Sequence, residues 1–186
     1  KTYQLGSGIH DLAQSALKVN HFSELAKPRL QKIANTFNMT ATATSKADDQ
    51  HLALTAYANP PSSISIRVSL GGRVPLFSGA SGRIFAAYGN MSEKQIRDNF
   101  NQVNWVKPIA FTKWMLQVQE AKSKGYAIDQ EEFMVGVSAI AVPVYTPENF
   151  VLHTIGVLAI NSQLKKTKRI EVINLLKETA QDISLN

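Results

Sequence analysis

Residues 125–145 read GYAIDQEEFMVGVSAIAVPVY. Three carboxylates, Asp129, Glu131 and Glu132, stand directly before a nearly uncharged run with strand character. Acids in such a place have four open uses: catalysis, metal binding, holding a polar ligand, or shaping a turn. The run itself decides the fold class. A second β-rich run follows at 151–161, after the turn residues Thr146-Pro147-Glu148-Asn149-Phe150. Two such runs with so short a connection make a hairpin, so the sheet they start is antiparallel.

Upstream, residues 8–19 place Ile9, Leu12, Ala13, Ala16 and Leu17 on one helical face. Ser23 reads as the N-cap of a further helix to residue 38, with Leu25, Leu30, Ile33, Ala34 and Phe37 as its apolar stripe and Pro28 as a place to bend. Residues 39–45 and 51–58 alternate as strands, with Leu52, Leu54, Ala56 and Ala58 on one side. Paired prolines make 59–63 a loop, residues 64–69 read as a third strand, and Gly71-Gly72 turns the chain. Helices are expected over 78–88, 92–101 and 111–124. Ser92 to Gln95 forms a capping box for the second, and Gly125 stops the third. The last helix spans 167–184, with Ile170, Ile173, Leu176, Ala180 and Ile183 on one face. Hairpin-linked strands flanked by helices predict an α+β domain: a mainly antiparallel sheet with helices packed on it.

Composition narrows the function. The 186 residues suit one domain, and 44% apolar with 18% charged residues is globular composition. No apolar run reaches the roughly 18 residues that a membrane span needs. Cysteine is absent, which removes disulfides, thiolate zinc sites and cysteine nucleophiles and agrees with a cytoplasmic location. The formal charge of +6 is dispersed; Lys165, Lys166, Lys168 and Arg169 form the only tight cluster, without aromatic neighbours, and read as a solvated helix start. His10, His21, His51 and His153 are scattered, so no metal or other cofactor is expected. No nucleophile has a base at a suggestive position, and the sequence gives little support to an enzyme.

Two further stretches are candidates for a binding site. Ser78-Gly79-Ala80-Ser81-Gly82 opens a helix with small residues, where free N–H groups attract anions and a ligand can approach closely. Close helix–sheet packing explains the same residues equally well. In the late strands Ile140, Val142 and Val144 share a face, as do Leu158 and Ile160; these should meet the helices. The opposite faces carry Ala139 and Ala141, then Val157, Ala159 and Asn161, and are expected to leave room for a pocket with Asp129 at its rim.

Taken in order, Tyr3-Gln4-Leu5-Gly6, Pro75-Leu76 with Gly82-Arg83, Gly125-Tyr126-Ala127 with Asp129, Glu131 and Glu132, and Gly136 with Ile140, Ala141, Pro143 and Val144 resemble the effector-binding half of the IclR family of bacterial transcriptional regulators. The family signature is met by Gly125, Asp129, Glu132, Ala139, Ile140, Ala141, Val144 and Tyr145. Thr146 stands where it closes with Asp or Asn, Ala139 where Cys is frequent, Arg83 where Lys is frequent, and Ala159 and Asn161 where relatives carry a serine pair.

The resemblance implies a GAF-like fold, with residues 1–20 as the end of a linker helix from a DNA-binding winged helix-turn-helix domain and 21–186 as the effector-binding domain. It implies a small-molecule effector, a carboxylic acid, a homodimer or homotetramer, and contact with DNA only through that preceding domain. The pocket positions it implies are Ser81, Asp129, Ala139, Ala159 and Asn161, with Ile66, beside the helix start Ser78, Gly79 and Ala80. Asp129 is then the polar group of the pocket, while Glu131 and Glu132 hold the turn by pairing with Arg73 or Arg83. Alanines in place of Cys and Ser favour an acid with an aliphatic or aromatic body. An enzyme using Asp129 or Glu132 as general base, or a dimerisation module with a vestigial pocket, are the alternatives.

Overall fold

A computed structural model of the chain describes residues 8–62, 65–164 and 166–184. The expectations on Tyr3 to Gly6, on the side chains of residues 9–17, on Ile64 and on Lys165 lie outside the described residues or side chains. The elements run α1 (Gly8–Phe37), β1 (Thr40–Lys46), β2 (His51–Ala58), β3 (Arg73–Pro75), α2 (Gly79–Tyr88), α3 (Glu93–Asn101), α4 (Phe111–Lys124), β4 (Ala127–Gln130), β5 (Val137–Tyr145), β6 (Val151–Ile160), a 3-10 turn (Asn161–Gln163) and α5 (Lys166–Ser184). The strands form one six-stranded sheet in the order β3-β2-β1-β6-β5-β4, every neighbouring pair antiparallel. The fold is α+β and GAF-like, as expected.

Each sheet face has its own core. On one face α1 and α5 pack Leu30, Ile33, Val172 and Leu176 against Ala41, Ala43, Ile140, Val142, Ile155 and Val157. On the other, α2 and α4 bring Ile84, Phe85, Trp114 and Val118 against Leu52, Ala127 and Ala141. The capping box of α3 is present, with the Ser92 hydroxyl accepting from Gln95 N and the Gln95 side chain accepting from Ser92 N. Gly125 takes the left-handed conformation, φ 70°, that ends α4. Ser92→Ala should therefore cost about 1 kcal/mol of stability, read as a lowered urea midpoint.

Several local expectations are corrected. Residues 8–37 form one helix, so Ser23 is no N-cap; its hydroxyl donates to the Thr55 carbonyl at 3.0 Å and ties α1 to β2. Residue 20, where the linker helix is expected to pass into the effector-binding domain, lies inside that helix. Residues 65–69 are not a strand; the third strand is instead Arg73–Pro75, started by Gly71 and Gly72, which exchange backbone bonds with Leu54. Of the three acids after Gly125, Asp129 belongs to the short edge strand β4. A bulge between Ala43 and Thr44 splits the supposed apolar side of β2, sending Leu52 to the α2 face and Ala56 and Ala58 to the α1 face. In α5, Ile170 is exposed, and Val172 takes its place in the buried stripe.

Candidate functional site

The face that α2 and α4 share carries the candidate site. Pro75 to Ser78 form a tight turn, closed by Ser78 N donating to Pro75 O at 3.0 Å. It delivers the chain into α2 through Gly79, whose φ of +60° favours glycine. The first N–H groups of a helix have no intrahelical acceptor. Ser78 stands at the N-cap but its side chain makes no cap bond, and no acid occupies the first turn. The Ser78 hydroxyl is buried without a hydrogen-bond partner.

One turn on, Arg83 is fully buried. Its Nη1 donates to Gly79 O at 2.7 Å and to Asp129 Oδ2 at 3.1 Å, and its Nε donates to Gln117 Oε1 at 2.8 Å. Its Nη2 lies 3.6 Å from Glu132 Oε2 and makes no hydrogen bond. Glu132 also accepts from Gln130 N at 2.5 Å and from Gln117 Nε2 at 3.3 Å. The expected pairing of Glu132 with Arg83 is therefore present, whereas Arg73 pairs with Asp48. Two buried carboxylates share one guanidinium. Burial raises the pKa of Asp129, with a further rise from Glu132 opposed by Arg83. Asp129 accordingly serves as the counterion of Arg83, and its other oxygen accepts from Phe133 N at 3.5 Å.

Strand register places the remaining expected residues. Asp129 stands opposite Ala139, and Ala139 opposite Leu158, so these three face the same side as α2. Ser81 joins them there, its hydroxyl 2.9 Å from that of Thr154 on β6. Ala159 does not. It stands opposite Ser138 and is buried in the α1–α5 core with Val157. Asn161 is likewise turned aside: its side chain accepts from the Ser138 hydroxyl at 2.8 Å and donates to Glu131. Glu131, at φ +67°, also accepts from Gly136 N, so it holds the β4–β5 turn without an arginine. The inward residue of β6 is Leu158, and the expected face shared by Ala139 and Ala159 is withdrawn.

Ile66 closes one end of this region. Its carbonyl accepts from the Thr40 hydroxyl at 3.2 Å, and the crevice it forms with Leu158 and Ile160 holds about 10 Å³, the space of one water. A far larger open groove, about 1850 Å³, lies at the opposite strand ends among Phe22, Tyr88, Tyr145 and Phe150; none of the expected site residues lines it. Its breadth and openness are those of a surface depression, and the convergent polar groups are at the α2 start. Among the described residues no three His, Cys, Asp or Glu side chains are grouped to hold a metal ion, and no helix is long and apolar enough to cross a membrane.

Sequence reasoning did not find Gln117, Leu158, Thr42, Thr44 or Thr154 as site neighbours. The alternation Thr40-Ala41-Thr42-Ala43-Thr44 was the available signal: it marks a strand with one apolar and one hydroxyl face.

The fold and site define a GAF-like domain whose α2 start, on one sheet face, is polar and stands beside a buried Arg83–Asp129–Glu132 cluster. Residues 14–185 match the family described as bacterial transcriptional regulator IclR C-terminal. The DNA-binding transcriptional repressor YiaJ of Escherichia coli K12 is 25% identical over 98% of this chain and 67% of its own length. A crystal structure of an IclR transcriptional regulator from Alicyclobacillus acidocaldarius superposes with a TM-score of 0.80 at 28% identity, covering 98% of this chain and 74% of that one. The inducer-binding domain of the PobR transcription factor from Acinetobacter, a double mutant in complex with 3-hydroxybenzoic acid, gives a TM-score of 0.71 at 18% identity over 87% of this chain and 97% of that domain. The chain belongs to the IclR family of bacterial transcriptional regulators and comprises its C-terminal, effector-binding domain.

Proposed function

We propose that this domain binds a small organic acid at the start of α2 and thereby modulates DNA binding by a winged helix-turn-helix domain of the whole protein. The observation that carries the reading is the Ser78 hydroxyl, sealed and unpartnered beside helix N–H groups that no side chain caps. Donors held this way suit a carboxylate, which the helix dipole also favours. The PobR domain, with its bound hydroxybenzoic acid, lends the reading support from a protein of like fold. Asp129 acts here through Arg83, cancelling charge and fixing the helix start, rather than touching the effector. Ala139, Leu158 and Ile66 shape the space next to it, with Gly79, Ala80 and Ser81 on the α2 side.

The general-base alternative is disfavoured by the same geometry. Asp129 and Glu132 are both buried against one arginine, and neither is free to approach a substrate proton. A screen of organic acids by thermal shift tests the reading. A ligand at a hundredfold its dissociation constant stabilises by about 2.7 kcal/mol, so a binding acid should raise the melting temperature clearly and remain unconsumed. Turnover of the acid, or no shift from any acid in a broad panel, would overturn it. The domain is further proposed to self-associate, since paired operator half-sites call for paired readers. Sedimentation at tens of micromolar, roughly the range that reveals ordinary micromolar affinities, should show a dimer or tetramer; a pure monomer counts against it.

A further inference from the structure

The sheet face beside the α2 start is floored by hydroxyls. Thr42 stands opposite Gly156 on β6 and Tyr57 on β2, and Thr44 stands opposite Thr154 and Leu54. All lie on the side away from the α1–α5 core, which takes the intervening Ala41 and Ala43. Gly156 presents no side chain next to Thr42, and none can be added, because a Cβ there would lie 2.3 Å from Ile140 O. The notch over the middle of β6 is therefore fixed by the backbone.

Three of the five hydroxyls that Ser81, Thr40, Thr42, Thr44 and Thr154 bring to this region are used, that of Thr40 by the Ile66 carbonyl. Ser81 and Thr154 bond each other at 2.9 Å and so link the first turn of α2 to β6. Those of Thr42 and Thr44 make no hydrogen bond to any described residue, and neither is among the polar atoms sealed from solvent. They are donors and acceptors left open on a strand that is otherwise well buried. An apolar ligand body laid over them would strip their water and return nothing. A ligand with its own hydroxyls would exchange water for direct bonds.

We propose that the effector is a polyhydroxylated acid, its carboxylate at the α2 start and its hydroxyls read by Thr42 and Thr44. The proposal rests on the acid-binding reading above and assigns the ligand class to that site. It replaces the apolar acid that the sequence suggested, because that suggestion required Ala139 and Ala159 to share a face.

Calorimetry on this chain decides it, with D-gluconate, D-galactonate and D-glucuronate as polyhydroxy acids, hexanoate and 3-hydroxybenzoate as acids with apolar bodies, and D-glucitol as a neutral polyol. At least one polyhydroxy acid should bind more tightly than both apolar acids. Thr42→Val should weaken that acid by roughly two- to tenfold, the range of one neutral hydrogen bond, and Thr44→Val by a similar factor. Neither variant should weaken hexanoate, and melting temperatures should show both folded. Tighter binding of an apolar acid, or Thr42→Val and Thr44→Val without effect on the polyhydroxy acid, overturns the hydroxyl assignment while leaving acid binding intact. Glucitol binding as tightly as the acids instead overturns the carboxylate site. Absence of binding by every probe overturns both.

Discussion

Arg83→Met should destabilise this domain by about 3–5 kcal/mol at neutral pH, the range for breaking a buried ion pair by removing one partner. Methionine fills most of the volume, so the loss is electrostatic. Asp129 and Glu132 then face each other, both largely buried, without a cation. The loss should also depend on pH in a defined direction. Burial already raises the folded pKa of Asp129 above its ordinary 3.8, Arg83 opposes the rise, and Glu132 adds to it. Removing Arg83 deletes the opposing influence and moves that pKa further up. A carboxylate with a raised folded pKa binds more protons folded than unfolded, so its contribution to stability falls as pH rises through the window above 3.8 and recovers as pH falls. Urea titrations of parent and variant at pH 7 and pH 5 should therefore show a smaller difference at the lower pH. Arg83→Met with Asp129→Asn and Glu132→Gln should recover much of the loss, because no buried charge is left uncompensated. A pH-independent deficit, or one under about 1 kcal/mol, the range of an exposed pair, would mean that the cluster does not hold the site together.

The capping box of α3, the glycine stop of α4 and the antiparallel sheet were legible in the sequence because each depends on local chemistry: a serine three residues before a glutamine, a glycine free to turn left, short connections between strands. Arg83 was not legible as a core residue. It follows a run of small residues and precedes Ile84 and Phe85; the resemblance offered it as a partner for Glu132, but nothing nearby in sequence signals that it is buried or that Gln117 of α4 and Asp129 of β4 join it. Arginine is ordinarily exposed, and only tertiary contact reverses that. The strand faces failed for a different reason. Alternation shows which residues of one strand share a side, but not which side of a neighbouring strand they join. In β6 both alternating sets are apolar, Val157 and Ala159 in one and Leu158 and Ile160 in the other. The register with β5 chose, and it placed Leu158 rather than Ala159 beside Ala139. Asp129 was recognised as the polar group of the site, but its engagement by Arg83 was not legible, because the two stand 46 residues apart and meet only in the folded chain.

Gly82→Ala should be the most damaging single methyl added to this site. A Cβ at residue 82 would lie 2.0 Å from the Phe77 carbonyl carbon and 2.3 Å from its oxygen. Those atoms are backbone, in the turn that Ser78 N and Pro75 O close, and they cannot rotate away as a side chain would. The whole turn must shift from α2, and Phe77 is itself completely buried against Trp114 with ring centroids 5.0 Å apart. Overpacking of a core costs about 1–3 kcal/mol and sometimes more; a clash with fixed backbone belongs at or above the top of that range. Gly79→Ala supplies the contrast. Its added Cβ meets only the Phe133 ring edge at 3.9 Å, so its cost is that of a left-handed alanine at φ +60°, about 1–2 kcal/mol. Urea midpoints should accordingly fall much further for Gly82→Ala than for Gly79→Ala. Because the displaced turn carries Ser78 and the first N–H groups of α2, Gly82→Ala should also abolish the thermal shift given by an acid that binds the parent. If the two variants are equally stable, or if Gly82→Ala keeps full acid binding, the close approach of α2 to residues 75–78 does not build the site.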